Sequence, residues 1–75
     1  MPTLQDFGNW QIRMYFKDHN PPHIRVVSPD ETALVRISDG AVIRGDIDGA
    51  VLKRAQAWVA EHRAELFAKW TEFQK

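Results

Sequence analysis

The stretch that decides the fold is Lys17-Asp18-His19-Asn20-Pro21-Pro22-His23-Ile24-Arg25-Val26. Its two prolines fix φ at about −65° and keep Asn20 out of the helical region, so this stretch does not form a helix. It predicts a rigid turn between two strands that holds His19 and His23 close together at a low cost in conformational entropy. Binding and catalytic residues are frequent on loops carried by a rigid scaffold, which favours a functional role for this turn.

Apolar and polar side chains alternate on both sides of the turn. Every second residue from Trp10 to Phe16 is apolar, and Ile24 and Val26 continue the pattern after the turn. A period of two is typical of strands with one buried face. Two further segments of this kind follow, each preceded by turn-forming residues. The predicted strands are residues 9–17, 23–28, 32–37 and 41–45.

The spacing of apolar residues changes to three and four after Gly49, as in an amphipathic helix. With Asp48 or Asp46 as the N-cap, the pattern predicts one helix over residues 49–74. Such a helix would be about 37 Å long, so its end is expected to project or to cover a partner. The predicted fold class is α+β, a small antiparallel sheet of three to four strands with one face covered by a long C-terminal helix. Residues 1–75 are expected to form a single domain.

Composition narrows the class of protein. The chain has 75 residues, no cysteine, and ten acidic against ten basic side chains. Disulfides and thiolate zinc sites are therefore excluded, and zero net charge argues against a general nucleic-acid coat. No apolar run is long enough to span a membrane, and the first residues do not resemble a signal peptide. We expect a cytoplasmic protein with no membrane partner and no cofactor.

The basic residues of the predicted strands share one parity, opposite to that of the apolar residues. Half of the ten cations then lie on the open sheet face, and all ten acids are placed in the N-terminal segment, the turns or the helix. Such a face binds anions although the chain is neutral overall. The alternative is an ordinary wet sheet face whose cations discourage aggregation. The predicted binding residues are Arg13, Tyr15, Lys17, Arg25, Arg36 and Arg44.

Three chemistries fit the turn. His19 and His23 could act as acid and base on a phosphodiester, with Arg25 stabilising the charge of the transition state. A metal held by both imidazoles with Asp18 or His62 is not expected, because the prolines preclude a helical ligand pair and Arg25 would repel a cation. A structural role is the third reading, in which His23 binds a backbone carbonyl and His62 is a half-buried, hydrogen-bonded histidine.

The same residues resemble a known family. The resemblance is carried by Met1-Pro2-Thr3, Ile12-Arg13-Met14-Tyr15-Phe16, Asp18-His19-Asn20-Pro21-Pro22-His23-Ile24-Arg25-Val26, Gly45, Trp58, His62, Glu65-Leu66 and Trp70. Over essentially its whole length the chain resembles a widespread bacterial family of small proteins, domain-of-unknown-function family 4160. The resemblance implies a second histidine two residues after His23, where this chain has Arg25. Arginine retains an anion contact, whereas a metal site or acid–base pair that needs that histidine loses a group.

The resemblance also implies a genetic setting. Members of the family look like one half of two-gene cassettes, an arrangement that resembles toxin–antitoxin operons. The predicted function is engagement of an anionic partner, either RNA or the acidic surface of a cognate small protein, through the basic sheet face and the His19–Arg25 turn. A metal-independent ribonuclease that uses His19 and His23 is the alternative. A structural module that forms a homodimer through its aromatic-rich helix is the second alternative.

Overall fold

Five strands form one antiparallel sheet in the computed structural model of the chain, which describes residues 3–15 and 19–74. The strands follow one another in chain order across the sheet, and two helices come after the last strand. The elements are β1 (Thr3–Asp6), β2 (Gln11–Arg13), β3 (His23–Val27), β4 (Thr32–Arg36), β5 (Val42–Asp46), α1 (Gly49–Glu61) and α2 (Arg63–Phe73).

The α+β class is confirmed, but the number of strands is not. The predicted sheet of three to four strands is wrong, because the N-terminal segment forms a further strand, β1. In this segment only Leu4 is half-buried, so no alternation of apolar and polar residues predicts a strand. The predicted first strand, residues 9–17, is described only as β2 (Gln11–Arg13), and its residues 16 and 17 lie outside the described part of the chain. Two acids also occupy strand positions, Asp6 in β1 and Asp46 in β5, so the expectation that strands carry no acid is wrong.

The core lies between one sheet face and the two helices. Along the strands the predicted parity is buried, as at Ile12 and Ile24, which are both 0% exposed. The helices add apolar side chains at helical spacing, including Ala55 and Leu66. The buried cluster comprises Trp10, Ile12, Met14, Ile24, Val26, Ala33, Val35, Ile37, Ile47, Ala55, Val59, Leu66 and Trp70. The opposite sheet face is called the open face below.

The helical segment is broken at His62, so the prediction of one long helix is wrong. The backbone of His62 lies at φ −113° and ψ 17°, and its Nδ1–H donates to the carbonyl oxygen of Trp58 at 2.9 Å. The side chain of Arg63 donates from Nε to the carbonyl oxygen of Ile37 at 2.8 Å, which ties the start of α2 to the end of β4. The chain measures 31 × 23 × 20 Å, less than the length of the predicted helix. The helix end therefore does not project.

Local signals at the helix ends behave as predicted. Asp48 is the N-cap of α1, and its carboxylate accepts from the N–H groups of Ala50 and Val51 at 3.1 and 3.3 Å. Trp70 is buried and Phe73 packs on the same core, so these two aromatic residues of α2 are covered by their own chain, whereas Phe67 is exposed. Within the described part of the chain, neither helix is long and apolar enough to cross a membrane.

Candidate anion-binding site

Three arginines lie in one row across the open face. In the strand register Arg13 of β2 pairs with Arg25 of β3, Arg25 pairs with Leu34 of β4, and Leu34 pairs with Arg44 of β5. Neighbouring strands are about 4.8 Å apart, so the three side chains share a band only three strand spacings wide. Like charges directly opposite each other destabilise a sheet. The Arg13–Arg25 pair therefore lowers the stability of the sheet, and a solvent-exposed face with no binding role would be expected to avoid it. We call Arg13, Arg25 and Arg44 the arginine row.

The guanidinium groups of Arg25 and Arg13 make different contacts on the open face. The guanidinium of Arg25 lies over the ring of Tyr15, 4.3 Å from its centroid. The Nε of Arg13 donates to the side-chain oxygen of Gln11 at 3.0 Å, and Gln11 donates to Asp6 at 3.4 Å. The guanidinium of Arg25 is thus held against an aromatic ring, and that of Arg13 against a neutral side-chain amide. The structure therefore gives Tyr15 the role of a support for Arg25.

A cavity of about 450 Å³ lies beside the proline turn (residues 19–22), on the open face. The row contributes Arg25 and Arg44 to its lining, with Leu34 between them in the register. The complete lining is His19, Asn20, Pro21, His23, Arg25, Thr32, Leu34, Ile43, Arg44 and Gly45. We call this space the turn-side cavity. It joins two cations to an apolar patch, a combination suited to a ligand that carries both an anionic and an apolar part.

The two histidines of the turn occupy different environments. His19 is exposed, whereas His23 is 4% exposed and its ring centroid lies 5.1 Å from that of Trp70. The Nδ1–H of His23 donates to the carbonyl oxygen of Pro21 at 2.8 Å, which fixes the ring. Both histidines line the turn-side cavity. His23 has the open-face parity in β3, yet it is buried because the ring of Trp70 in α2 packs against it.

The proline turn is anchored to the sheet through its backbone. The Asn20–Pro21 peptide bond is cis, and the carbonyl oxygen of Pro22 accepts from the N–H of Ile37 at 3.0 Å. Ile37 follows β4, and its own carbonyl oxygen accepts from Arg63. The turn, the end of β4 and the start of α2 are thus joined by hydrogen bonds, so the His19 side of the cavity is carried by a defined scaffold.

Arg36 lies apart from the arginine row. Its Nε and a terminal nitrogen donate to the two carboxylate oxygens of Asp39, at 2.9 and 2.6 Å. This guanidinium, with help from the N–H of Ala41, lowers the pKa of Asp39 from 3.8 to about 2. The charge of Arg36 is therefore already compensated at neutral pH. Among the other predicted binding residues, Lys17 lies outside the described residues.

Metal ligation finds no support in the described part of the chain. Residues 3–15 and 19–74 contain no group of three or more side chains that could hold a metal ion. His62 is half-buried and stacks on Trp58 with ring centroids 4.4 Å apart, in agreement with the structural role predicted for it. Asp18, the other candidate third ligand, lies outside the described residues.

The comparison with protein families decides the assignment. The family described as Domain of unknown function (DUF4160) matches residues 9–71. The chain belongs to this family. No curated protein and no solved structure matches it. The DUF4160 match contains the whole arginine row and every residue of the turn-side cavity, whereas β1 lies outside it.

Several cavity residues of this DUF4160 chain were not predicted from its sequence. Leu34 has the open-face parity in β4, so alternation alone could have placed it there. Ile43 joins the lining beside Arg44 near a register shift between β4 and β5. Nothing in the local sequence signals that shift except Gly45, whose φ of +84° marks an irregular strand.

Proposed function

We propose that this domain is a binding module that engages an anionic partner, either RNA or an acidic protein surface, through the arginine row. The observation that supports the proposal is the strand register, which gathers Arg13, Arg25 and Arg44 from three strands onto one face. Arginine suits this role because its planar guanidinium donates paired hydrogen bonds to phosphate and carboxylate. In the setting that the family likeness implies, the domain is one half of a toxin–antitoxin-like pair, and its partner is a small protein from the neighbouring gene.

The salt dependence of binding tests the row. We expect Arg44→Gln to weaken binding of a single-stranded RNA oligonucleotide and to lower the slope of log K against log salt by about 0.7, the value for one phosphate contact. The matched control is Arg36→Gln, which removes the same charge from a residue already paired with Asp39. Fluorescence anisotropy across a salt series, repeated with a poly-glutamate peptide, measures both variants. Equal slopes for Arg44→Gln and wild type with both probes would contradict the proposal.

A ribonuclease is the second candidate, favoured by the presence of His19, His23 and Arg25 in one cavity. In that function cleavage would follow a bell-shaped profile at about pH 6–7, resist EDTA, and be lost in His19→Ala. His62→Gln is the control, because it removes an imidazole that does not line the cavity. We expect no cleavage by the wild type, since the burial of His23 leaves little of its ring to meet a substrate. Cleavage by the wild type and by His62→Gln, but not by His19→Ala, would establish the ribonuclease instead.

A further inference from the structure

The turn-side cavity combines charge with apolar surface in a way that a simple anion would not use. Arg25 and Arg44 flank Leu34 in the row, and Ile43 adds a second half-buried aliphatic side chain. Phosphate or an isolated carboxylate would contact the guanidinium groups and leave both aliphatic side chains uncovered. A ligand that pairs an anionic group with a flat apolar part would cover both.

A nucleotide has this composition. Single-stranded nucleic acids present unstacked bases that pack on side-chain surfaces, including arginine planes, while their phosphates contact cations. The cavity, at about 450 Å³, falls in the range of about 300–1,000 Å³ that is usual for sites of small ligands. Thr32 and Asn20 supply polar groups at the same cavity for contacts to the sugar or to a base edge.

An acidic peptide fits the same region less well. An extended peptide can bind a sheet by adding a strand to a free edge, and of the two edge strands β5 is the one that lines this cavity. The register between β4 and β5 shifts near Leu34 and Val35, and Gly45 has a positive φ. Such irregularities turn a strand away from further pairing. The cavity on the face, rather than the edge, is therefore the better formed site.

We infer that the turn-side cavity takes one unstacked nucleotide of a single-stranded nucleic acid, with its base on Leu34 and Ile43 and its phosphates at Arg25 and Arg44. This inference rests on the proposed function and narrows its partner. Loss of apolar surface in the cavity should then weaken binding of a polynucleotide without affecting binding of an anion that has no base. Loss of a row arginine should weaken both.

The test compares two neighbouring substitutions on one strand. Ile43→Thr removes apolar surface from the cavity, whereas Val42→Thr makes the same kind of change at a residue that is 39% exposed and does not line it. Both variants keep a β-branched side chain, so the strand preference is retained. Binding is measured for labelled RNA and DNA oligonucleotides of about ten nucleotides. Titration calorimetry with sodium polyphosphate measures, for comparison, the binding of a polyanion that has no bases.

We expect Ile43→Thr to weaken RNA binding about fourfold, the effect of removing roughly one buried methylene from the contact with the base, and to leave polyphosphate binding unchanged. Val42→Thr should change neither. An RNA affinity above that for DNA would identify RNA as the source of the nucleotide, and equal affinities would identify single strands of either kind. Circular dichroism shows whether each variant is folded. An NMR titration of the wild type with uridine monophosphate tests the same site without a substitution. We expect it to shift the amide resonances of Leu34 and Ile43.

Two results would overturn the inference and leave the proposed function standing. One is unchanged RNA binding by Ile43→Thr together with no amide shifts at Leu34 and Ile43. The other is binding of poly-glutamate with no binding of RNA or DNA, which would identify an acidic protein as the partner. Failure to bind RNA, DNA, polyphosphate and poly-glutamate would overturn the proposed function as well.

Discussion

Gly45→Ala is expected to leave most of the chain unfolded. Gly45 has φ +84°, and a Cβ at this position would overlap the carbonyl oxygen of Thr32 and lie 3.0 Å from the Cα of Ala33. The backbone conformation alone costs about 1–3 kcal/mol for a residue with a side chain. The overlap adds to this cost, because both neighbouring atoms belong to the backbone of a central strand and do not move aside. A single small core stabilises a chain of this size by only about 3–5 kcal/mol, so little stability would remain.

Two other glycines provide the controls for this substitution. Gly8 has φ +99°, and a Cβ at this position would meet no atom within 4 Å, so Gly8→Ala isolates the conformational cost, about 1–2 kcal/mol. Gly49 is the first residue of α1, with no positive φ and no neighbour within 4 Å. Gly49→Ala should therefore raise stability by up to about 1 kcal/mol. Urea unfolding followed by circular dichroism ranks the three variants. Equal midpoints for Gly45→Ala and Gly8→Ala would show that the backbone of β4 does not approach Gly45 as described.

Trp70→Ala is expected to lower the free energy of unfolding by about 3–5 kcal/mol. Trp70 is 5% exposed, belongs to the core cluster and packs against the ring of His23. Its removal would leave a cavity beneath α2 and uncover His23, which lies at the edge of the candidate site. The loss is of the same order as the whole stability of a domain this small.

Phe67 is the matched control for Trp70. It lies on the same helix but is 37% exposed, so Phe67→Ala should change stability by no more than about 0.5 kcal/mol. Circular dichroism in urea is the suitable measurement, since a tryptophan signal would be altered by the substitution itself. Equal losses for the two variants would contradict the position of Trp70 in the core and return α2 to the role of a partner-binding helix.

The parts of the fold that local patterns predicted are those that depend on local physics. Alternation through Ile12 and Ile24 gave the buried face, and the position before the apolar stripe gave Asp48 as one of two candidate caps, beside Asp46. The break at His62 was not predictable, because no glycine or proline marks it. It accompanies a tertiary contact, the bond from Arg63 to Ile37 at the end of β4. β1 was missed because a four-residue edge strand with one half-buried side chain carries no pattern.

The candidate site was predictable in its residue types but not in its shape. Parity placed Arg13 and Arg25 on one face, yet only the register shows that they are direct partners and that Leu34 separates Arg25 from Arg44. The burial of His23 depends on a side chain 47 positions further along the chain, which no local pattern reports.

The most direct test of the central claim, that the arginine row is the surface for an anionic partner, is an amide NMR titration of isotope-labelled protein with sodium polyphosphate. The account predicts that the largest shifts fall on Arg13, Arg25 and Arg44, with Gly45 beside them, and that they diminish as salt is added. It predicts no comparable shifts around Phe67, on the exposed side of α2. Shifts concentrated on the helices, with the three row arginines unchanged, would contradict it.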